Sequence, residues 1–144
     1  MANYDSELIF KDYLVRSSKY SQNNNFSFET DSLEVNFDID AVVQISENDA
    51  AVTLNCKCGD SSNVNCPFEI EVSVMGIFEH KGEISKLEFE SMLTTNSIAI
   101  LFPYLRSLIS DISGQSNIYP SYKLPLINVI QFLHDEEKIQ ITHV

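Results

Sequence analysis

Cys56, Cys58 and Cys66 lie close together in this chain, and closely spaced thiols are suited to metal ligation or thiol–disulfide chemistry. Cys56-Lys57-Cys58 with Cys66 supplies three soft ligands, so a closed zinc site needs a fourth from elsewhere, and the spacing fits none of the common zinc frameworks. The cysteine count is odd. Met1 to Arg16 lacks the charged opening, apolar middle and small-residue cleavage site of a secretory signal. Both points argue against a disulfide framework and for reduced thiols in a cytoplasmic protein. Cys56 and Cys58 also continue the alternation of Val52 and Leu54, which makes them small apolar strand residues, with Cys66 near a turn. His80, His134 and His143 are scattered, none at helical spacing from a cysteine or another histidine. No phosphate loop, paired zinc motif or nucleophile-elbow serine is present. The expectation is a protein that is not an enzyme and uses no cofactor or metal; a cysteine-dependent metal or redox protein is the alternative from another class.

The elements that must position any site follow from periodicity. Leu33, Val35, Phe37 and Ile39 alternate with Glu34, Asn36, Asp38 and Asp40, a half-buried strand with one apolar and one acidic face. Val52 to Cys58 gives a second strand and Phe68, Ile70, Val72 and Val74 a third, with short polar connections that favour an antiparallel meander. Pro67 marks the start of the third strand or an edge position, and Gly76 a bend or bulge. Phe26 and Phe28 alternate with Ser27 and Glu29 after an asparagine-rich turn and read as a short strand. Asp5 to Tyr20 has no clean period, so helix and strand both stand open there.

Ser85-Lys86-Leu87-Glu88 has the form of a capping box opening a short helix through about Leu93. Leu101, Tyr104, Leu105, Leu108, Ile109 and Ile112 then follow the spacing of a helix stripe, with Arg106, Ser107, Ser110, Asp111 and Ser113 opposite. Gly114 suits a C-cap in the left-handed region, with Pro120 beyond it. Pro103 opens this helix or kinks it, leaving the residues before it as a separate turn. Ile127, Ile130 and Leu133 give a final helix. Strands followed by helices imply an α+β fold, one domain over residues 1–144, with helices on the apolar face of the sheet.

Ile98 to Leu105, the longest apolar run, is far below the roughly 20 residues that span a bilayer. Formal net charge is −12, from 21 acidic and 9 basic residues. That balance opposes nucleic acid and direct membrane insertion and favours cationic partners.

Leu101-Phe102-Pro103-Tyr104 followed one residue later by Arg106, with Gly76-Ile77-Phe78 upstream and Pro125-Leu126-Ile127-Asn128 downstream, resembles the SecB protein-export chaperone family in order and spacing. The resemblance runs from about Leu14 to Leu133 and tips the later half of Asp5 to Tyr20 toward strand. It implies a four-stranded antiparallel sheet covered by two main helices, assembled as a homotetramer, a dimer of dimers. The implied function is an ATP-independent holdase that keeps unfolded preproteins in an apolar groove and passes them to the Sec translocase. Phe68, Ile70, Phe78, Phe102, Tyr104, Tyr119 and Leu133 are the groove candidates. In the family an acidic sheet face docks the translocation ATPase SecA; Glu29 and Glu71 match acidic positions of that face, whereas Asn25 stands where the family has an acid and Glu69 where it has an apolar residue. The alternative is a SecB-like chaperone dedicated to one client, such as the antitoxin of a toxin–antitoxin system.

Overall fold

The computed structural model describes residues 7–29, 33–117, 121–125 and 127–144. Among these, β1 (Leu8–Gln22), β2 (Phe37–Ile45), β3 (Asp49–Gly59) and β4 (Phe68–His80) are followed by α1 (Lys86–Leu93), α2 (Asn96–Gly114), α3 (Val129–Asp135) and β5 (Ile139–His143). The strands form one sheet in the order β1-β4-β3-β2-β5. The α+β class and the β2-β3-β4 meander stand as expected. Two details differ: a fifth strand joins the sheet, and one long helix with two short ones replaces the expected pair of main helices.

The meander forms because its alternation is strict. Ile39, Ala41 and Val43 of β2, Val52, Leu54, Cys56 and Cys58 of β3, and Ile70, Val72, Val74 and Phe78 of β4 are all buried on the face that α2 covers. β2 begins later than its pattern suggests, at Phe37, and Leu33 is exposed. The cause is loss of a partner. Phe37 pairs with Cys58, the next residue, Gly59, turns away at φ 82°, and its N–H bonds to the Asn36 carbonyl at 2.8 Å. Phe26 and Phe28 lie in a turn instead of the expected strand. The buried Asn23 organises that turn: its Nδ2 donates to the Asn63 and Cys66 carbonyls at 2.9 and 2.8 Å, and its Oδ1 accepts from the Asn25 N–H at 3.0 Å.

β1 is a strand throughout, and its lack of a clean period has a physical cause. Its register against β4 slips between Phe10 and Asp12 and again between Val15 and Ser17. The residues opposite the inward positions of β4 are therefore Leu8, Phe10, Tyr13, Val15, Ser18, Tyr20 and Gln22, an alternation reset by each bulge.

The Ser85 hydroxyl accepts the Glu88 N–H at 3.1 Å, as the capping box requires. α2 starts at Asn96, so Pro103 is interior and does not open the helix. It is tolerated because Ala99, whose carbonyl loses its usual partner, lies with Pro103 on the exposed side, where water can take the bond. Gly114 is the last residue of α2 and does not take positive φ; Asn117 does, at φ 58°. Asn128 caps α3, its Oδ1 accepting the Gln131 N–H at 3.1 Å. α3 ends in a Schellman turn: the Lys138 N–H reaches the Leu133 carbonyl at 2.8 Å, the Glu137 N–H reaches that of His134 at 3.2 Å, and Glu137 sits at φ 54°. This turn delivers the chain to the free side of β2, where β5 pairs in parallel.

Gly76 makes no bend in β4. A Cβ there would stand 2.7 Å from Leu101 Cδ2 and 2.7 Å from Phe78 Cε2, so the missing side chain lets α2 rest on the sheet. Both neighbours are fully buried and have little room to give. Gly76→Val should lower stability by about 1–3 kcal/mol through overpacking, read as an earlier urea midpoint at unchanged slope. Glu137→Gly should raise stability by roughly 1 kcal/mol by removing the left-handed penalty, read as a later midpoint.

Candidate functional site

Exposed aromatic surface gathers where α2 meets β1. The first bulge of β1 turns Tyr13 inward, opposite Gly76, and Tyr104 comes down from the third turn of α2. Their ring centroids are 4.2 Å apart. Phe10 joins them at 6.5 Å from Tyr13 and 6.1 Å from Tyr104, and stacks on Phe78 at 5.2 Å, which anchors the group to the core. Tyr13 is 38% exposed and Val15 40%, while Phe10 and Tyr104 are half-buried. Along α2, Ile100 and Leu108 flank Tyr104 at four-residue spacing, also half-buried. The result is a partly exposed apolar and aromatic patch beside an edge strand, suited to non-directional contact with extended chains.

Of the groove candidates, Tyr104 alone among the described residues keeps appreciable accessible surface. Phe68, Ile70, Phe78, Phe102 and Leu133 are buried. Each lies on a strand face or helix stripe that packs inward and holds the helices on the sheet, and Leu133 also lines a cleft between α1 and β5. Phe68 also meets Tyr20 at 6.2 Å and Tyr122 at 5.9 Å. Tyr119 lies outside the described residues, as do Pro120 and Leu126. Phe10 and Tyr13 were not among the candidates. The register slips in β1 hid them, and the cluster of Phe10 and Tyr13 on one short stretch was the signal available.

The segment after α2 is pinned along that helix. Arg106 donates from Nε and Nη2 to the Leu124 carbonyl at 3.3 and 3.1 Å, and the Ser113 hydroxyl accepts the Tyr122 N–H at 2.7 Å. The Leu-Phe-Pro-Tyr-x-Arg word thus has parts with separate tasks: Leu101 and Phe102 pack inward, Tyr104 faces β1, and Arg106 holds the connection.

The opposite face of the sheet carries the acidic positions, but with cations between them. Glu71 is exposed on β4, opposite Lys19 of β1 and Lys57 of β3. Lys57 pairs with Glu69 at 3.0 Å; the bond holds the Glu69 carboxyl below its usual range and pushes the Lys57 amine up. Ser73 Oγ donates to Asn55 Oδ1 at 2.7 Å, and Asn55 Nδ2 to Asp40 Oδ1 at 2.8 Å. Glu29 is exposed in the turn after β1, off the sheet face. Toward the Gly76 end this face gains apolar residues, with Leu14, 45% exposed, paired to Met75, although Asp12 stands opposite Ile77.

Cys56 and Cys58 are buried inward-facing strand residues, their sulfurs 3.6 Å apart. That hydrogen bond, with burial, raises the Cys56 thiol well above the ordinary range, so it stays protonated. Cys66 is buried in the turn before β4, its Sγ donating to the Phe68 carbonyl at 3.2 Å. Burial also pushes the neighbouring Tyr122 phenol up to about 12. Among the described residues no group of three histidine, cysteine or carboxylate side chains is placed to hold a metal ion, and no helix is long and apolar enough to cross a membrane.

Comparison with known proteins agrees with this architecture. Similar in fold is a SecB-like chaperone of Mycobacterium tuberculosis solved in complex with a ChAD peptide from the HigA1 antitoxin, with a TM-score of 0.70 at 13% identity over 85% of this chain and 91% of that one. A protein of unknown function from Streptococcus agalactiae matches at a TM-score of 0.52 and 16% identity, over 83% of this chain and 98% of that one. In sequence, an uncharacterized protein of Methanocaldococcus jannaschii is 30% identical over 138 residues, 92% of this chain and 86% of that protein. The family model of the preprotein translocase subunit SecB matches residues 11–140, and the chain therefore belongs to the SecB family.

Proposed function

We propose that this SecB-family chain is an ATP-independent holdase that binds extended, unfolded segments along the aromatic patch where α2 meets β1. The observation that carries this reading is the Tyr13–Tyr104 pair, a partly exposed aromatic surface beside a strand edge. Aromatic rings supply large, non-directional contact area at low entropic cost, which suits capture of many sequences. Phe10 and Phe78 beneath them keep the surface rigid.

β1 is 15 residues long and ends the sheet, and Tyr13 and Val15 on its inward face and Leu14 on the other keep 38%, 40% and 45% of their surface. An edge strand with such a stretch can template another chain. It supports self-association through β1 toward the dimer-of-dimers tetramer, which would multiply binding surfaces and add avidity for long clients.

Membership of the SecB family supports delivery of preproteins to the Sec translocase through SecA, with Glu71 as the exposed acidic contact. Pairing of Glu69 with Lys57 and the position of Lys19 opposite Glu71 favour a second reading of the same holdase, a chaperone dedicated to one client. The antitoxin peptide bound by the mycobacterial SecB-like chaperone is the type of client that reading names. Both readings place the protein in the cytoplasm, where preproteins and antitoxins are met before export or toxin release.

Tyr13→Asp should weaken suppression of aggregation of a urea-denatured preprotein by about tenfold in apparent affinity, with only the slightly earlier unfolding midpoint that loss of one aromatic pair brings. Equal suppression by a folded variant removes this patch from the holdase. Glu71→Lys should weaken SecA association at low salt and leave client holding intact, measured by titration calorimetry across a salt series. Absence of SecA association in the unmodified chain, with client holding present, decides for the dedicated chaperone.

A further inference from the structure

We propose that the edge of β2 from Ala41 to Ile45 is a strand-addition site for an extended client segment, and that β5 occupies it as a displaceable stand-in. The inference deepens the holdase reading and rests on it. β5 is the one parallel strand among the described residues, and the shortest, with five residues. It pairs Ala41 with Ile139, Val43 with Ile141 and Ile45 with His143, between an Ala41 N–H bond to the Lys138 carbonyl at 2.9 Å and a Val144 N–H bond to the Ile45 carbonyl at 2.8 Å.

What marks β5 as a stand-in is the poor fit above it. Its alternate residues Ile139 and Ile141 share the face of Ala41 and Val43, which is otherwise fully buried. Over β5, however, a cleft of about 450 Å³ separates the two isoleucines from Leu87, Glu90, Ser91 and Thr94 of α1 and its cap, with Leu133 in the lining. Ile141 remains 38% exposed and Leu87 79%. A second cavity of about 150 Å³ follows beside His143 and Val144, lined by Ile84 and Phe89. α1 turns Phe89 and Leu93 into the core, is capped at Ser85, and reaches β5 through the His143–Glu90 pair at 3.5 Å. The cleft is open to solvent and partly apolar, so an extended segment carrying side chains larger than isoleucine at alternate positions buries surface and gains contacts that β5 leaves unmade.

The fastenings of β5 are weak in proportion. His143 meets Glu90 at 3.5 Å and Lys138 meets Asp38 at 3.4 Å, both partly exposed, and such pairs contribute little. The strand is fed by Glu137 in the left-handed region, where a residue with a side chain is disfavoured. Its departure would bare the N–H and carbonyl groups of the β2 edge, which then require another strand. The sequence Ile-Gln-Ile-Thr-His shows the pattern the edge accepts: apolar residues inward at alternate positions, polar residues outward. Main-chain bonds supply affinity without sequence demand, the cleft selects bulk, and Glu90 and Glu137 in its lining favour lysine or arginine in the occupant.

The probe is a fluorescein-labelled decapeptide alternating Phe or Leu with Lys, Gln or Thr, titrated by anisotropy against the intact chain and a chain ending at Lys138. The shortened chain should bind about tenfold more tightly, and unlabelled Ile-Gln-Ile-Thr-His-Val should compete with the probe on it. Gln44 and Thr142 are paired across β2 and β5 on the other sheet face, so a Q44C/T142C variant can tether the strand. Oxidised, it should bind the probe about tenfold more weakly than the same protein reduced. This comparison decides alone if the shortened chain does not fold. Equal probe affinity with β5 tethered or free overturns the proposal, and holding of a denatured preprotein by the same samples leaves the holdase intact. Failure of every form to bind either ligand overturns both. A dimer that the tether prevents from forming overturns the client assignment in favour of strand exchange between two copies.

Discussion

Close approach of α2 to the sheet is the constraint on which the rest depends. A 19-residue helix crosses strands whose inward side chains are mostly branched aliphatics, and at Gly76 the sheet offers backbone where a side chain would meet Leu101. That contact sets the height of the helix above the sheet. Once the height is set, Leu101, Leu105 and Ile109 are fully buried, and Tyr104, one helical flank away, falls beside β1 at ring-contact distance from Tyr13. The surface proposed to bind clients is thus a by-product of helix seating. The same seating explains why the proline in α2 does little harm, since the face that loses a hydrogen bond is turned to water.

The two edges of the sheet are managed differently. β1 is long and keeps exposed apolar residues at Tyr13, Leu14 and Val15, while its two bulges and its basic residues restrict pairing with another chain to that short stretch. At the far end β2 is covered by a strand of this chain, which pairs along its backbone but fills little of the space under α1. A chaperone that recognises unfolded polypeptide must present backbone partners and apolar space without aggregating on its own account. Covering one edge with a poorly fitting segment reconciles those demands, because hydrogen-bond groups stay satisfied while side-chain packing remains incomplete.

On the opposite face, charge is spread and not concentrated. Lys57 bonds to Glu69, Lys19 stands across from Glu71, and the Ser73–Asn55–Asp40 chain of hydrogen bonds occupies polar groups among themselves. The overall charge of −12 still favours basic partners at long range, but local recognition on this face needs geometry as well as charge.

The sequence by itself determined the α+β class, the three-strand meander, the Ser85 cap, the principal helix and the family, because each is written in local periodicity or in residues close along the chain. It also showed Cys56 and Cys58 to be inward strand residues. Tertiary structure decided what depends on partners distant in sequence. The period of β1 is broken by bulges that exist only against β4, so Phe10 and Tyr13 could not be placed beside Tyr104 in advance. Inward alternation identified Phe68, Ile70 and Phe78 as apolar positions, but whether such a position is core or groove depends on the helix above it. Ile139 to His143 alternates apolar and polar residues over only five positions, and which edge it joins is decided by the Schellman turn at Glu137, which aims it along β2.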